Sequence, residues 1–236
     1  MKTILQCLII TACFACLPLS QAQLVPPAGG GYPNRVTALG DGTLLFITSG
    51  YDNTAIGNRA LEFTTTGYAN TGVGSQAVAK NTEGFTNTGI GYQALEFTTT
   101  GHDNTAIGAN ALLNNRTGQS NVAVGSGSMQ ASTAGNENTA VGLTALFNNT
   151  TGSDNIAIGF QAGTNVTTGN FDVDIGNPGA ANESNTIRIG SVNQTATYVA
   201  GINGVDKSSG NPVLLLRFTP IASAHHVVAR PCIFDP

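Results

Sequence analysis

The chain contains few charged residues and no tryptophan. Charged residues make up 9% of its 236 positions and the net charge is −4, whereas ordinary soluble domains carry about 25% charged residues. Its few lysines and arginines form no run, so the sequence predicts no nucleic-acid partner and no electrostatic attraction to an acidic membrane. Disordered chains are usually rich in charge and poor in β-branched residues. This composition therefore favours a folded body stabilised by packing and hydrogen bonds.

The first residues have the features of a secretory signal peptide. Lys2 is followed by an apolar stretch over residues 4–17, which is short for a membrane span, and by a small-residue cleavage site ending at Ala22. We expect residues 1–22 to be removed and the chain to be exported to the cell surface or extracellular space, with no membrane anchor of its own. A bacterial lipoprotein box at residues 10–13 is the alternative. Three of the four cysteines lie in this segment, so the exported chain would keep Cys232 alone and form no intramolecular disulfide.

From residue 36 onward the chain repeats itself with a 17-residue period. The pentapeptide NTAIG at 53–57 recurs with small changes in nine copies, whose first residues are Val36, Asn53, Asn70, Asn87, Asn104, Asn121, Asn138, Asn155 and Asp172. A fixed short period is the signature of a stacked repeat architecture. We therefore assign residues 36–190 to one elongated repeat body.

Three positions define the unit, which is numbered 1 to 17 from the asparagine. Position 4 is always Ile, Val or Leu, and positions 5 and 15 are Gly. Two fixed glycines indicate two corners where φ is positive or neighbouring backbones approach closely. The residues between the asparagine and the first glycine alternate polar and apolar, which predicts a short strand. Positions 8 and 9, usually Ala-Leu, form either a second short strand or a helical turn.

The energetics of one unit require the units to stack. Ordering 17 residues costs about 17–34 kcal/mol of backbone entropy, whereas burying one Ile at position 4 and one Leu at position 9 returns about 3–6 kcal/mol. Stacking in register would align Asn with Asn and Ile with Ile, and the side-chain amides would form ladders. The sequence therefore predicts an all-β fold, a parallel β-solenoid or β-roll of 17-residue repeats with position 4 buried.

The repeated N-x-A-[I/V]-G motif resembles the head repeats of trimeric autotransporter adhesins, the YadA-like head. Nine copies in phase carry the resemblance, which covers residues 36–190. It implies a left-handed parallel β-roll and three chains packed side by side, hence a homotrimer. The 17-residue period departs from that family, whose heads have shorter repeats. Only the last step, from Gly176 to Gly190, has the 14-residue length typical of that family.

A second resemblance follows the repeats. Thr197–Val205 is similar to the neck that precedes the self-cleaving intramolecular chaperone domain of phage tailspikes, and Gly210–Val213 continues the similarity. We expect residues 23–35 to be a linker, residues 191–212 to be neck-like and residues 213–236 to be an atypical tail. The abrupt change of sequence predicts a truncated or frame-shifted C-terminus that lacks the chaperone. An irregular C-terminal cap is the alternative.

Motifs that carry chemistry are few. The run from Gly72 to Ala77 imitates a dinucleotide fingerprint, but no long helix or βαβ unit is predicted around it. Asp172 and Asp174 offer either a weak Ca²⁺ motif or, preferably, a capping pair. His225-His226 lacks metal-ligand partners at a suitable spacing. We therefore expect no cofactor and no metal site.

Position 16 carries aromatic rings in four successive units: Tyr51, Tyr68, Phe85 and His102. One interpretation, which we favour, is a stacking ladder that stabilises the rod or a trimer seam. The other is a ligand-contact stripe, because aromatic side chains are enriched at binding surfaces. The sequence leaves both interpretations open.

These observations indicate a secreted or cell-surface module that adheres or acts structurally. The resemblance implies adhesion to a host matrix protein or a surface glycan by a homotrimer, which multiplies affinity. The alternative is the head segment of a phage-derived tail-fibre-like protein that binds surface carbohydrate. A polysaccharide hydrolase, the third hypothesis, needs clustered carboxylates, but the repeat body carries few, and four of them lie one per unit without pairing: Asp52, Asp103, Glu137 and Asp154. We expect no enzymatic activity.

Overall fold

The computed structural model describes residues 33–194. A 3₁₀ helix at Pro33–Arg35 precedes ten three-residue strands, β1 (Thr37–Leu39), β2 (Thr54–Ile56), β3 (Thr71–Val73), β4 (Thr88–Ile90), β5 (Thr105–Ile107), β6 (Val122–Val124), β7 (Thr139–Val141), β8 (Ile156–Ile158), β9 (Val173–Ile175) and β10 (Ile187–Ile189). The expected signal peptide, the tail and most of the linker and neck-like segments lie outside the described residues.

The ten strands form one parallel sheet in chain order. Each strand pairs with its counterpart in the next unit, as in Ile90↔Ile107, and only the last pair, Ile175↔Ile189, reflects a 14-residue step. Each repeat unit is thus one rung of a solenoid, and nine steps of about 4.8 Å make a sheet roughly 43 Å long. The predicted all-β parallel β-solenoid with 17-residue repeats is confirmed. Its handedness stays a prediction.

The core consists of small side chains and one column of larger ones. In the rung of β5, Ala106 at position 3, Ala111 at position 8 and Leu112 at position 9 are fully buried. Ile107 at position 4 is 39% exposed. The prediction that position 4 is buried is wrong, because successive side chains of a strand point to opposite faces and position 3 takes the inward place.

The opposite wall of the rung explains why position 3 must be small. A Cβ added to Gly89, which occupies position 3 of β4, would lie 2.6 Å from Val78 Cγ2 and 3.0 Å from Ala94 O. A branched side chain would find still less room. In β1–β8 the inward position is therefore Ala or Gly, and the large apolar residues of these strands remain outside.

Positions 6 to 11 form tight turns, neither a strand nor a helix. The Ala60 N–H donates to Gly57 O at 3.3 Å and the Thr64 N–H donates to Leu61 O at 3.2 Å, which closes two consecutive turns. Between them, the Leu61 N–H donates to Ala77 O of the next rung at 3.0 Å. The second segment of the unit is thus neither the strand nor the helical turn that the sequence allows, and hydrogen bonds to the neighbouring rungs hold it in place.

The position 1 asparagines form a buried ladder along the solenoid. The Asn104 Nδ2 donates to Asn87 Oδ1 at 3.0 Å and to Gly118 O at 2.9 Å. Its Oδ1 accepts the backbone N–H of Asn121 at 3.1 Å. Each side-chain amide therefore links consecutive rungs and donates a hydrogen bond to the main-chain carbonyl of the position 15 glycine.

Candidate functional site

The four rings predicted at position 16 form one continuous stack. The ring centroids of Tyr51 and Tyr68 are 4.9 Å apart with planes inclined by 5°, and those of Tyr68 and Phe85 are 5.0 Å apart at 2°. Phe85 and His102 follow at 4.4 Å and 7°. Each ring comes directly after the position 15 glycine, and the register of the solenoid places successive rings one above another.

This stacking determines which part of each ring a ligand meets. Tyr68 and Phe85 are stacked on both faces and are half-buried, so their edges rather than their faces are available. Ring edges carry partial positive charge and faces carry partial negative charge. The stripe therefore suits hydrogen-bond acceptors, which meet ring edges and tyrosine hydroxyls. The two inner rings leave no face free for a stacked sugar ring.

His102 ends the stack beside an acidic side chain. Its Nδ1 lies 2.9 Å from Asp103 Oδ2, and the Thr86 hydroxyl donates to the other carboxylate oxygen. The Thr86 hydrogen bond, followed by the His102 contact, lowers the pKa of Asp103 below its usual value. Asp103 is therefore kept as an anion at the exposed edge of the stripe.

Polar side chains replace the rings at position 16 beyond His102. The Gln119 N–H donates to Asn136 Oδ1 at 2.9 Å, and the Ser153 N–H donates to Asn170 Oδ1 at 2.7 Å. These side-chain oxygens accept hydrogen bonds from backbone N–H groups of the preceding rung, which an aromatic ring cannot do. The column therefore changes from ring stacking to hydrogen bonding halfway along the solenoid.

A second ring column at position 11 was missed in the sequence. The ring centroids of Phe46 and Phe63 are 5.0 Å apart and their planes are inclined by 8°. In the next two rungs, the Lys80 ammonium lies 3.8 Å from the ring centroid of Phe97. The cation–π contact continues the column where stacking is interrupted. The signal was the 17-residue spacing of Phe46, Phe63 and, after Lys80, Phe97. Both ring columns occupy the same four N-terminal rungs.

The outward side of the sheet carries no charged side chain. We call it the strand face, defined as positions 2 and 4 of β1–β10. It holds only Thr, Val, Ile and Leu, and its position 4 column, which was expected in the core, is exposed or half-exposed along the sheet. The sequence signal for this face is the small residue at position 3 between two β-branched ones, which β2–β8 share.

Four carboxylates of the repeat body, Asp52, Asp103, Glu137 and Asp154, share the position 17 column. Asp52 is paired with Arg35, whose Nη2 lies 2.6 Å from Asp52 Oδ2. As predicted, each of the four lies on its own rung, and Glu137 and Asp154 occupy adjacent rungs of the column. Within residues 33–194, no group of three or more His, Cys, Asp or Glu side chains is placed to hold a metal ion.

Asp172 and Asp174 lie inside the last rung. Asp172 takes the place of the ladder asparagine, since its N–H donates to Asn155 Oδ1 at 2.9 Å and its Oδ1 accepts the Thr186 N–H at 3.0 Å. Burial raises the pKa of Asp174, the charge of Arg188 on β10 opposes that rise, and Asp172 adds to it. Arg188 is ion-paired with Glu183. The contacts of Asp172 are those of a ladder member at the end of the stack.

The apparent dinucleotide fingerprint is a product of the repeat. Gly72 is an inward residue of β3, and Gly74 is the position 5 corner with a φ of 133°. The segment after it forms hydrogen-bonded turns, with the Ala77 N–H donating to Gly74 O. No helix N-terminus follows that could receive a pyrophosphate.

No protein-family model, curated protein or solved structure matches the chain. The described part of the chain includes no helix with the length and apolar character needed to cross a membrane.

Proposed function

We propose that the chain is a non-enzymatic, exported fibre module of the adhesin-like type, displayed at the cell surface or released. The observation that carries the proposal is the strand face, which is uncharged across all ten strands and exposed or half-exposed at position 4. A monomer that keeps such a surface in water is unusual, because large exposed apolar patches mark interaction sites. The resemblance of the repeats to trimeric autotransporter adhesin heads supports a homotrimer as the working form.

The strand face suits copies of the same chain. Its ten strands contribute two outward side chains each, which approaches the roughly 20–30 residues per partner of a standard interface. No side chain on it carries a charge, so identical faces meet without repulsion. Parallel rods also share one rung spacing, and side chains of one copy can pack between the rungs of another.

Trimer formation is tested by the mass of the full chain in solution. We expect concentration-dependent association to three copies, measured by light scattering, because the strand face is then removed from water. A trimeric coiled coil fused after Val205 should raise the melting temperature and sharpen the transition, because it lowers the entropy cost of assembly. A compact monomer with the same heat stability in both proteins would contradict the homotrimer.

The ring stripe is the surface we assign to ligand contact. Tyr51, Tyr68, Phe85 and His102 present ring edges, hydroxyls and an imidazole next to the Asp103 carboxylate. A host matrix protein or a surface glycan rich in hydrogen-bond acceptors fits this chemistry. The stripe and the strand face are built from different positions of the unit, so ligand contact and trimer assembly use different side chains.

Substitution within the stripe tests this assignment. In the Tyr51→Ala/Tyr68→Ala double variant we expect binding to the best ligand from a matrix-protein and glycan array to fall at least about tenfold, a typical loss for contact aromatics. Gln119→Ala, in the same column one rung beyond His102, is the matched control and should bind like the wild type. If the double variant binds normally and only its melting temperature falls, the stripe is a stabilising ladder.

The head segment of a phage-derived tail-fibre-like protein is the second candidate. The segment Thr197–Val205, which lies outside the described residues, favours it through its similarity to necks that precede tailspike chaperones. The same array distinguishes the two, since this candidate requires bacterial surface carbohydrate and no matrix protein to bind.

A further inference from the structure

The strand face changes in character along the sheet. Position 2 is Thr in every strand of β1–β5, namely Thr37, Thr54, Thr71, Thr88 and Thr105. In β6–β10 it is Val122, Thr139, Ile156, Val173 and Ile187. Position 4 is apolar throughout. The N-terminal half of the face, β1–β5, is therefore mixed, whereas the C-terminal half, β6–β10, is apolar in both columns except at Thr139.

Apolar side chains extend the C-terminal half around the corner of the rung. Leu143 and Phe160 follow β7 and β8 at position 6, directly after the corner glycine, and are 49% and 67% exposed. In the rungs of β1–β5 the same position holds one large ring, Tyr92, which is 52% exposed and carries a hydroxyl. The other four residues there are small or polar: Asp41, Asn58, Ser75 and Ala109. The C-terminal half thus offers a broader apolar surface than the N-terminal half.

Threonine hydroxyls make the N-terminal half harder to bury. Within residues 33–194, none of the position 2 threonines donates a side-chain hydrogen bond, in contrast to Thr65 at position 13, whose hydroxyl donates to Thr82 O at 2.9 Å. Burying such a hydroxyl without a partner is unfavourable. Burying the Val and Ile side chains of the C-terminal half is favourable over their whole surface.

The partner that fits the C-terminal half of the strand face is a second copy of the chain. The apolar surface is uncharged and periodic, and another copy is the partner with the same rung spacing and the same absence of charge. We infer that association between copies is anchored by the C-terminal half of the strand face, and that the N-terminal half contributes little. The inference rests on the proposed self-association and names the part of the surface responsible for it.

Two matched triple variants of the full chain test the inference. Ile156→Thr/Val173→Thr/Ile187→Thr places Thr at position 2 of β7–β10, as in the N-terminal half, and leaves Val122 of β6 unchanged. Ile56→Thr/Val73→Thr/Ile90→Thr makes three substitutions of the same kind in the N-terminal half. All six side chains are exposed or half-exposed in the single chain, and Thr keeps the β-branched shape, so each variant should fold with the circular dichroism spectrum of the wild type.

The readout is the dissociation constant from sedimentation velocity over a concentration series. We expect the C-terminal variant to raise it roughly 100-fold, since three buried apolar side chains are lost, and the N-terminal variant to raise it less than about tenfold. Equal weakening by both variants would overturn the inference and leave self-association through the strand face intact. A wild type that is monomeric at all concentrations, or associates equally well in both variants, would overturn the inference and the proposed assembly together.

Discussion

Replacing Gly142 with alanine is expected to unfold the repeat body, at a cost above about 4 kcal/mol. Gly142 is the position 5 corner after β7 and has a φ of 142°. A Cβ there would lie 2.2 Å from Gly159 O and 2.6 Å from Gly159 C. Both atoms belong to the backbone of the next rung, so the contact is relieved only by separating β7 from β8. Urea and thermal denaturation followed by circular dichroism measure the loss.

Gly176 provides a control at the same position of the last full rung. Its φ is 60°, and a Cβ added to it meets nothing within 4 Å. Gly176→Ala should therefore cost only the roughly 1–2 kcal/mol of a left-handed conformation. If Gly142→Ala were as mild as Gly176→Ala, close backbone approach would not be the reason for glycine at position 5.

The unbroken period made the solenoid and its register predictable. Since every unit has the same length, the column Tyr51, Tyr68, Phe85 and His102 followed from counting residues, and the structure stacks these rings within 5.0 Å of one another. The position 11 column was missed because Lys80 interrupts the rings. Lys80 contacts the Phe97 ring through its charge, and a hydrophobicity pattern does not register a cation–π contact.

The inward side of the strand could not be read from hydrophobicity. In Thr105-Ala106-Ile107 the alternation shows that Ala106 faces away from the other two, but Ile is the more apolar residue, so hydrophobicity predicts that Ile107 is buried. The distance between the sheet and the opposite wall of the rung determines which side chain can point inward. That distance depends on how the turn segment folds back, which no single unit specifies.

The backbone conformation of the turn segment is determined by stacking between rungs and is opposed by local residue preference. Leu61, Leu95 and Leu112 have φ values of 51°, 56° and 50°, a left-handed conformation that is unfavourable for leucine. Their side chains are buried in the core column, and their N–H groups donate to the next rung. Local propensity therefore could not choose correctly between a strand and a helical turn.

Replacing Asn87 with alanine is expected to destabilise the solenoid by about 3–5 kcal/mol, from lost hydrogen bonds and a small cavity. Its Nδ2 donates to Gly101 O at 2.8 Å, and its Oδ1 accepts the N–H of Asn104 at 3.1 Å. Alanine leaves both buried main-chain groups without these partners. Chemical denaturation gives the change in unfolding free energy, and hydrogen exchange should show faster exchange at the Asn104 amide. A loss below about 1 kcal/mol would mean that the ladder adds little beyond packing.

Asp172→Asn is the companion variant, and its effect should have the opposite sign. Asp172 is 2% exposed, and its Oδ2 has no hydrogen-bond partner within the described residues. In the preceding rung, the Asn155 Nδ2 donates to Gly169 O at 2.8 Å. One rung further on, Glu183 O lies beside Asp172 Oδ2, as Gly169 O lies beside Asn155 Nδ2. An amide at residue 172 would therefore place an N–H donor beside Glu183 O, where a carboxylate oxygen now lies. The substitution would also remove a negative charge beside Asp174. We expect a gain of about 1–2 kcal/mol. Destabilisation by Asp172→Asn would show that the carboxylate itself holds the last rung, because the substitution leaves side-chain size unchanged and alters only charge and the donor.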